Sequence, residues 1–260
     1  MPAQQILDQK RMTMGKRFDK KVALVTGGGG GIGRAICIRL GSEGAHVFVN
    51  FRKSKESADD VVKQIEKAGG SATAVQGDVV KVKDIERMIE TIKKDTDRID
   101  ILVNNAGFAE RAMTEHIEED SVDRVLAINI KSPLFVTKHA LPMMKEGSAI
   151  IHVSSSLTEN ALPGASVYTA AKMGERGLTF VQAQELGPKG ITVNSVLPGP
   201  TAPGAFDKES EQMRKEAAAS SPFNRLGTPD DIAGVVAFLA SKDARWVTGQ
   251  HILVNGGAKL

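Results

Sequence analysis

The sequence predicts an α/β fold, with about seven strands in one doubly wound parallel sheet and helices on both faces. Three observations support this prediction. Short apolar runs alternate with helical patterns along the 260 residues, the runs are continuous enough to be buried on both faces, and a glycine-rich turn follows the first run. Strands buried on both faces need helices over both, which is the arrangement of a doubly wound sheet.

The first half of the chain supplies four predicted strands and three helices. The strands are expected at 21–26, 46–51, 72–76 and 101–104, and the helices at 34–41, 54–68 and 82–95. The helix at 82–95 has apolar residues at helical spacing, and Gly69-Gly70 ends the helix before it. Each strand is therefore followed by a helix that returns the chain to the start of the next strand.

The second half continues the alternation. Strands are expected at 149–154, 191–197 and 251–254, and helices at about 121–144, 167–186 and 229–239. Pro133 predicts a kink in the first of these helices. Thr228 as cap and Pro229 at the first position predict the start of the last.

Two segments lie outside this alternation. Residues 1–19 are predicted to be an N-terminal extension, and 20–260 a single dinucleotide-binding catalytic domain. Residues 198–225 hold Pro, Gly and Ala and then a charged run. Because ligands lie beyond the strand C-termini in such sheets, this segment is predicted to be a substrate lid. The alternative is a plain surface insertion.

Composition excludes several classes of function. The net charge of +3 is spread along the chain, which argues against nucleic acid as a partner. The single cysteine, Cys37, forms no intrachain disulfide, so a reducing, cytoplasmic compartment is expected. No apolar stretch is long enough to span a membrane. The five histidines lack ligand spacing, so no metal site is expected.

A glycine-rich loop, Thr26-Gly-Gly-Gly-Gly-Gly-Ile-Gly33, joins the first strand to a helix. Free backbone N–H groups at a helix N-terminus bind phosphate, and glycine lets the backbone turn sharply and approach the ligand. The spacing is wider than the common dinucleotide pattern Gly-x-Gly-x-x-Gly. The loop predicts an anion site, with a flexible turn that binds nothing as the alternative.

Tyr168 and Lys172 lie four residues apart in a predicted helix, so they occupy one face, one turn apart. An ammonium beside a phenol favours the phenolate form. Such a tyrosine can act as a proton donor nearer neutral pH than a free one. Tyr168 is the only tyrosine of the chain.

Taken in order, these motifs resemble the short-chain dehydrogenase/reductase family, of the compact single-domain type. The likeness extends from about residue 20 to 257. It rests on Thr26-Gly-x-x-x-Gly-Ile-Gly33, Asp78-Val79, Asn104-Asn-Ala-Gly107, Asn129, Ser155, Tyr168-x-x-x-Lys172 and Pro198-Gly199. The resemblance implies a Rossmann-like fold, hydride transfer with a nicotinamide cofactor, and usually a homotetramer.

The resemblance also implies roles for individual residues. Tyr168 would be the acid/base, Ser155 would hold the substrate oxygen, and Lys172 would bind the nicotinamide ribose. Asn129 would support a water that relays protons to Lys172. The implied cofactor-binding residues are Gly27, Gly30, Gly31, Ile32, Gly33, Asn50, Arg52, Asp78, Val79, Asn105, Ala106, Gly107, Tyr168, Lys172, Pro198, Gly199 and Thr201.

Several of these roles have structural alternatives. Ser154 and Ser156 flank Ser155, so the serine assignment depends on the family register. Asn129 has the alternative of bonding only to the backbone of its own helix, and Asp78 that of capping a helix or closing a turn. The family often carries aspartate where this chain has Asn255, which affects local C-terminal contacts rather than the chemistry.

The end of the second predicted strand indicates which cofactor is used. An acidic residue there would accept bonds from the ribose 2′-OH and repel a 2′-phosphate. This chain has Phe51 at that position, followed by Arg52, whose guanidinium can pair with a phosphate. NADP(H) is therefore predicted. The alternative is a solvated charged edge and use of both cofactors.

The function predicted is reduction of a ketone or 3-oxoacyl substrate, or oxidation of the matching secondary alcohol, with NADP(H). The likeness to 3-oxoacyl reductases favours this substrate class, and a sugar dehydrogenase of the glucose type is the alternative. A non-catalytic NADP-binding regulator is the alternative of another class. The complete set Asn129, Ser155, Tyr168 and Lys172 argues against the regulator.

Overall fold

A single parallel sheet forms the centre of the molecule. The computed structural model describes residues 16–258. Its strands are β1 Val22–Val25, β2 His46–Phe51, β3 Ser71–Gln76, β4 Ile101–Asn104, β5 Ala149–Val153, β6 Thr192–Pro198 and β7 His251–Val254. The strand order is β3-β2-β1-β4-β5-β6-β7, and all six pairings are parallel. The predicted fold class is confirmed.

Helices cover both faces of this sheet. They are α1 Gly31–Ser42, α2 Lys55–Lys67, α3 Val82–Asp95, α4 Glu119–Leu126, α5 Ser132–Ala140, α6 Ser166–Leu186, α7 Glu211–Ser220 and α8 Pro229–Leu239. One core joins α1, α2 and α8, and the other joins α3, α5 and α6. Along β1, Ala23 and Val25 enter the first core while Val22 and Leu24 enter the second. The alternation explains why these strands are apolar throughout.

The strand order reverses beside β1, which pairs with β2 on one side and β4 on the other. Val25, at the end of β1, is in register with Val103 of β4. Loops that leave two such strands move apart toward opposite faces and open a crevice, where ligands of this architecture bind. The glycine-rich loop leaves β1 at this point.

The helix predicted at 121–144 is interrupted by a π-helical turn, Ala127–Lys131, between α4 and α5. The N–H of Ser132 donates to the carbonyl of Ala127, five residues back. Pro133 has no N–H to donate to the carbonyl of Asn129, so the regular bonding pattern fails just before it. The kink predicted at Pro133 is therefore a widened turn ahead of it, a feature that is frequent at functional sites.

The N-terminal boundary of the packed chain lies earlier than residue 20. Phe18 is 2% exposed and belongs to the core of α1, α2 and α8. Its N–H donates to the carbonyl of Glu43 at 2.9 Å. Residues 1–15 of the predicted extension lie outside the described residues.

The predicted start of the last helix is confirmed in detail. Thr228 Oγ1 accepts from the N–H of Asp231 at 3.3 Å, and Asp231 Oδ2 accepts from the N–H of Thr228 at 2.7 Å. This reciprocal pair satisfies two backbone donors that the first turn of the helix would otherwise leave free.

Thr228→Ala removes one half of this cap and is expected to lower the free energy of unfolding by about 1 kcal/mol. Urea unfolding followed by circular dichroism measures the difference from the wild-type protein. Thr228→Ser keeps the hydroxyl and serves as the control. An alanine variant as stable as the serine variant would show that the cap contributes nothing.

Candidate active site

The glycine-rich loop is held from two sides. On the β2 side, Gly27 N donates to Asn50 Oδ1 at 3.2 Å and Gly28 N donates to Asn50 O at 2.9 Å. On the β4 side, Asn105 Nδ2 donates to the carbonyls of Thr26 and Gly27, at 2.9 and 3.2 Å. These bonds fix the loop while the first-turn N–H groups of α1 remain available.

Close packing explains why glycine is needed at two positions in this loop. Gly27 has φ +64°, in the left-handed region. A Cβ at Gly33 would lie 2.3 Å from the carbonyl oxygen of Gly27 and 2.5 Å from Asn105 Nδ2. The first turn of α1 carries no acidic side chain. The arrangement suits an anion at the start of α1.

The loop after β4 is attached directly to the glycine-rich loop. Thr26 Oγ1 accepts from the N–H groups of Asn105 and Ala106, at 2.9 and 3.0 Å. Next to it, a Cβ at Gly107 would lie 2.7 Å from Asn129 Oδ1 and 3.6 Å from Lys172 Nζ. The predicted cofactor residues 105–107 therefore connect the anion site to the polar groups around α6.

Other predicted cofactor residues line the same edge of the sheet. Pro198 ends β6, and Gly199 N donates to Val254 O at 3.0 Å. Thr201 Oγ1 donates to Gly199 O at 2.8 Å. Gly30, Gly31 and Ile32 form the junction of the loop with α1. Their roles toward a cofactor stay predictions.

Asp78 closes a turn after β3. Its Oδ1 accepts from the N–H of Val80 at 3.3 Å, while Val79 is 5% exposed. Asn50 Nδ2 donates to Gly77 O at 3.1 Å, which ties this turn to β2. The turn interpretation of Asp78 is therefore present, and contact with adenine stays a prediction.

The end of β2 presents positive charge beside the loop. Phe51 is buried, whereas Arg52 and Lys53 are exposed and form no ion pair within residues 16–258. Ser54 caps α2, and a Cβ at Gly29 would lie 3.5 Å from Cβ of Ser57. Two cations and a helix N-terminus thus lie next to the glycine-rich loop.

The predicted lid segment, 198–225, includes regular secondary structure. It contains a 3₁₀ turn, Ala205–Lys208, and helix α7. Arg111, on the loop after β4, pairs with Glu209 through Nη2–Oε1 at 3.0 Å and Nη1–Oε2 at 3.2 Å. This ion pair joins the segment to the loop after β4, and the role of the segment as a lid stays a prediction.

Tyr168 and Lys172 lie one turn apart on α6, as predicted. Lys172 Nζ lies 6.0 Å from the centroid of the Tyr168 ring. The lysine side chain is buried, and Nζ donates to Val153 O at 2.8 Å. Ser154 Oγ donates to the carbonyl of Lys172 at 3.3 Å. These two bonds connect the end of β5 to the helix that carries the pair.

Ser155 differs from Ser154 in how its hydroxyl is used. Ser155 Oγ accepts from the N–H of Leu157 at 3.2 Å, and within the described chain its own proton has no acceptor. Ser154 is engaged with α6, and Ser156 begins a 3₁₀ turn. Of the two buried hydroxyls at 154 and 155, Ser155 is the one free to donate.

Asn129 has one half of its amide bonded and the other half open. Nδ2 donates to Phe108 O at 3.0 Å and to Val125 O at 2.9 Å. Oδ1 is buried and has no hydrogen-bond partner in the described residues. Oδ1 and Lys172 Nζ both lie near Gly107, and a buried amide oxygen without a protein partner is a place that a water commonly fills. Backbone bonding thus accounts for only half of this side chain.

Sequence analysis missed one charged residue of this site. Glu175 is buried, and its Oε2 lies 2.7 Å from Lys172 Nζ. Burial disfavours the charge of Lys172, but Glu175 and Tyr168 outweigh it and raise the pKa of Lys172. Burial raises the pKa of Glu175 to about 6. Glu175 lies seven residues from Tyr168 on the same helix face, but that spacing alone does not distinguish a buried carboxylate from an exposed one.

Among residues 16–258, no group of three or more His, Cys, Asp or Glu side chains is arranged to hold a metal ion. Burial lowers the pKa of His152 to about 4, and its Nε2 lies 3.0 Å from Gln182 Oε1. The neutral imidazole is part of the core. In the same part of the chain, no helix combines the length and apolar character needed to cross a membrane.

A family model described as enoyl-(acyl carrier protein) reductase matches residues 28–259. An uncharacterized oxidoreductase of Methylorubrum extorquens is 41% identical over 246 residues, which cover 94% of this chain and 99% of the relative. A 3-oxoacyl-[acyl-carrier-protein] reductase of Staphylococcus aureus is 39% identical over 239 residues, covering 91% and 97%.

Two solved structures that are similar to this chain are also those of reductases. The angucycline C-6 ketoreductase LanV with bound NADP is 39% identical, with a TM-score of 0.89 over 93% of this chain and 96% of that one. A dehydrogenase/reductase from Sinorhizobium meliloti is 37% identical, with a TM-score of 0.91 over 96% and 100%. Both likenesses extend over nearly the whole chain.

Proposed function

This chain belongs to the short-chain dehydrogenase/reductase family of oxidoreductases, and we propose that it reduces a ketone or 3-oxoacyl substrate with NADPH, or oxidises the matching alcohol with NADP⁺. One observation carries the proposal. Tyr168, Lys172 and Asn129 converge beside the loop after β4, which is itself bonded to the glycine-rich anion site. An acid/base group and a dinucleotide cradle thus share one crevice.

The residues of the crevice fit NADP(H). The N–H groups at the start of α1 would hold the pyrophosphate, and Arg52 and Lys53 would hold the 2′-phosphate. Lys172 would bind the nicotinamide ribose. When bound, the cofactor supplies or accepts the hydride. The NADP in LanV, a similar protein, supports this choice.

The protein's own groups handle the proton and the developing charge. In reduction, Tyr168 donates its proton to the carbonyl oxygen as negative charge develops there. Ser155 donates a hydrogen bond to the same oxygen from its free O–H. The Lys172 ammonium stabilises the phenolate that remains. A water between Asn129 Oδ1 and Lys172 returns the proton from solvent.

Ketones are the substrate class that the relatives favour. The Staphylococcus aureus relative is named for reducing 3-oxoacyl groups, and LanV for reducing a C-6 ketone. The lid segment 198–225, held to Arg111 through Glu209, would shape the substrate pocket.

A substrate panel tests this function. In separate assays, purified protein is mixed with NADPH and an acetoacetyl thioester, a β-ketoester or a cyclic aromatic ketone. A further assay contains glucose and NADP⁺. The absorbance of NADPH is followed in each. Turnover of a ketone is expected. Turnover of glucose alone would assign the sugar dehydrogenase alternative, and tight NADPH binding without any turnover would support the non-catalytic regulator.

Arg52→Ala tests the cofactor assignment. The KM for NADPH is expected to rise about tenfold, because a charged contact to the 2′-phosphate is lost. The KM for NADH should change less than about twofold, since NADH lacks that phosphate. Arg87→Ala, which removes an exposed arginine on α3, is the control. Equal effects on both cofactors, or a wild-type preference for NADH, would contradict the assignment.

We also propose a cytoplasmic homotetramer. Apolar side chains remain exposed along α6 and before β7, including Met173, Phe180, Val181 and Trp246, the last 97% exposed. Patches of this kind mark association surfaces.

The cytoplasmic location has a separate support, and the assembly a direct test. Cys37 is free and buried, which suits a reducing compartment. Analytical ultracentrifugation should give four times the mass of the chain, and a monomer would contradict the assembly.

A further inference from the structure

Three side chains with acid–base chemistry form a stripe along α6. Tyr168, Lys172 and Glu175 stand at intervals of four and three residues, which places them on one helix face. Lys172 Nζ lies 2.7 Å from Glu175 Oε2 and 6.0 Å from the centroid of the Tyr168 ring. The ammonium is therefore shared by a carboxylate and a phenol of its own helix.

This ion pair is almost fully buried. The Lys172 and Glu175 side chains are 4% and 2% exposed. A buried charge without a partner destabilises the folded protein. Removing one member of a buried ion pair is therefore more destabilising than replacing both members by apolar side chains. The other protein group bonded to Nζ in the described chain is the neutral carbonyl of Val153. Glu175 thus supplies the negative charge that keeps Lys172 an ammonium.

The surrounding titratable groups do not replace it. From β5, His152 is buried and faces the charge of Lys172, but its pKa of about 4 leaves it neutral at physiological pH. From the π turn, Asn129 offers only an amide. Tyr168 is a neutral phenol in the state that donates a proton. The field at Lys172 is therefore set chiefly by Glu175.

We propose that Glu175 is a positioning residue of the reaction: its carboxylate holds the Lys172 ammonium in place and keeps it charged beside Tyr168. This inference rests on the proposed function, since it concerns how that acid is controlled. Glu175 touches neither substrate nor cofactor in this scheme and acts only through Lys172.

The proposal fixes the direction of a pH effect. The carboxylate favours the charged form of Lys172. Without it, Lys172 loses its proton at lower pH. Carbonyl reduction needs that charge, because the ammonium stabilises the phenolate that remains once Tyr168 has given up its proton. Loss of the carboxylate therefore moves the alkaline limb of the rate profile to lower pH.

Glu175→Gln tests this with a side chain of nearly the same shape. In the pH profile of kcat for ketone reduction at saturating NADPH, the alkaline limb is expected about one pH unit lower. At pH values above the wild-type limb, kcat should be about tenfold lower than in wild type, whereas on the plateau below the shifted limb it should stay near the wild-type value. Glu175→Asp keeps the charge and should bring the limb back toward the wild-type position. Glu185→Gln, an exposed change on the same helix, should leave the profile unchanged.

The inference would be overturned if a folded Glu175→Gln variant kept its alkaline limb at the wild-type pH. A uniform loss of kcat at every pH would also overturn it, because such a loss marks a purely structural role. If the glutamine variant does not fold, Glu175→Met is subject to the same prediction. If the wild-type enzyme is active and the alkaline limb of the variant is unshifted, only this inference is wrong. If the wild-type protein has no reductase activity, both the proposed function and this inference are wrong.

Discussion

Tyr168→Phe is expected to lower kcat for ketone reduction by about 10³-fold or more while NADPH binding is retained. The substitution removes one O–H group and keeps the ring whose centroid lies 6.0 Å from Lys172 Nζ. Without that proton donor, negative charge on the substrate oxygen is left to Ser155 alone. The measurement is kcat with the best ketone of the panel at saturating NADPH.

Two controls separate the acid from the scaffold in this experiment. NADPH affinity, from fluorescence titration, should stay within about threefold, because Tyr168 is one of many implied cofactor-binding residues and all the others are unchanged. Thr169→Val removes a hydroxyl from the neighbouring position, on a different face of α6, and should keep turnover near wild type. A Tyr168→Phe enzyme with more than a tenth of wild-type kcat would reassign the proton donor.

Gly33→Ala is expected to weaken NADPH binding about 100-fold. The new Cβ would lie 2.3 Å from the carbonyl oxygen of Gly27 and 2.5 Å from Asn105 Nδ2. No real Cβ tolerates either distance, so the loop must move away from the start of α1. The N–H groups assigned to the pyrophosphate then lose their common direction. Fluorescence titration with NADPH measures the change.

Gly234→Ala is the matched control for this effect. Gly234 lies in α8, and among the residues that the structure describes, no atom outside the helix backbone and the chain neighbours lies within 4 Å of a Cβ placed there. Alanine suits a helix interior better than glycine, so stability should be equal or slightly higher and NADPH affinity unchanged. Wild-type affinity in Gly33→Ala would remove the glycine-rich loop from the cofactor site.

Much of the fold could be predicted because strand and helix patterns were strong and sharply bounded. The ranges 46–51, 82–95, 101–104, 229–239 and 251–254 agree with the structure residue for residue. In each, apolar spacing and flanking polar or capping residues favour the same bounds. The switch between β1 and β4 follows from strand order, which the alternation of elements alone does not specify.

Local patterns could not predict three features. Helix α7, in the segment 198–225, buries none of its residues deeply and so has no apolar stripe. The π turn depends on Pro133 together with the contact of Asn129 Nδ2 to Phe108, twenty-one residues away. Glu175 has a charged side chain, which is usually found at a protein surface, and only its burial beside Lys172 indicates its role.

Of the candidate site, the motif residues were predictable but their partners were not. Asn50 was expected at the cofactor, and its bonds to Gly27 and Gly77 show that it also braces the loop. Phe18 was placed in an extension, yet it fills the core beside α1 and α2. Both facts depend on contacts between distant parts of the sequence.

The central claim is that this chain transfers a hydride from NADPH to a carbonyl carbon while Tyr168 supplies the proton. The most direct test uses NADPH that carries deuterium at both hydrogen positions of nicotinamide C4. The product alcohol is analysed by mass spectrometry and NMR. One deuterium is predicted on the carbinol carbon of the wild-type product, with almost no product from Tyr168→Phe in the same time. An alcohol without deuterium at that carbon, or equal labelled product from both proteins, would contradict the account.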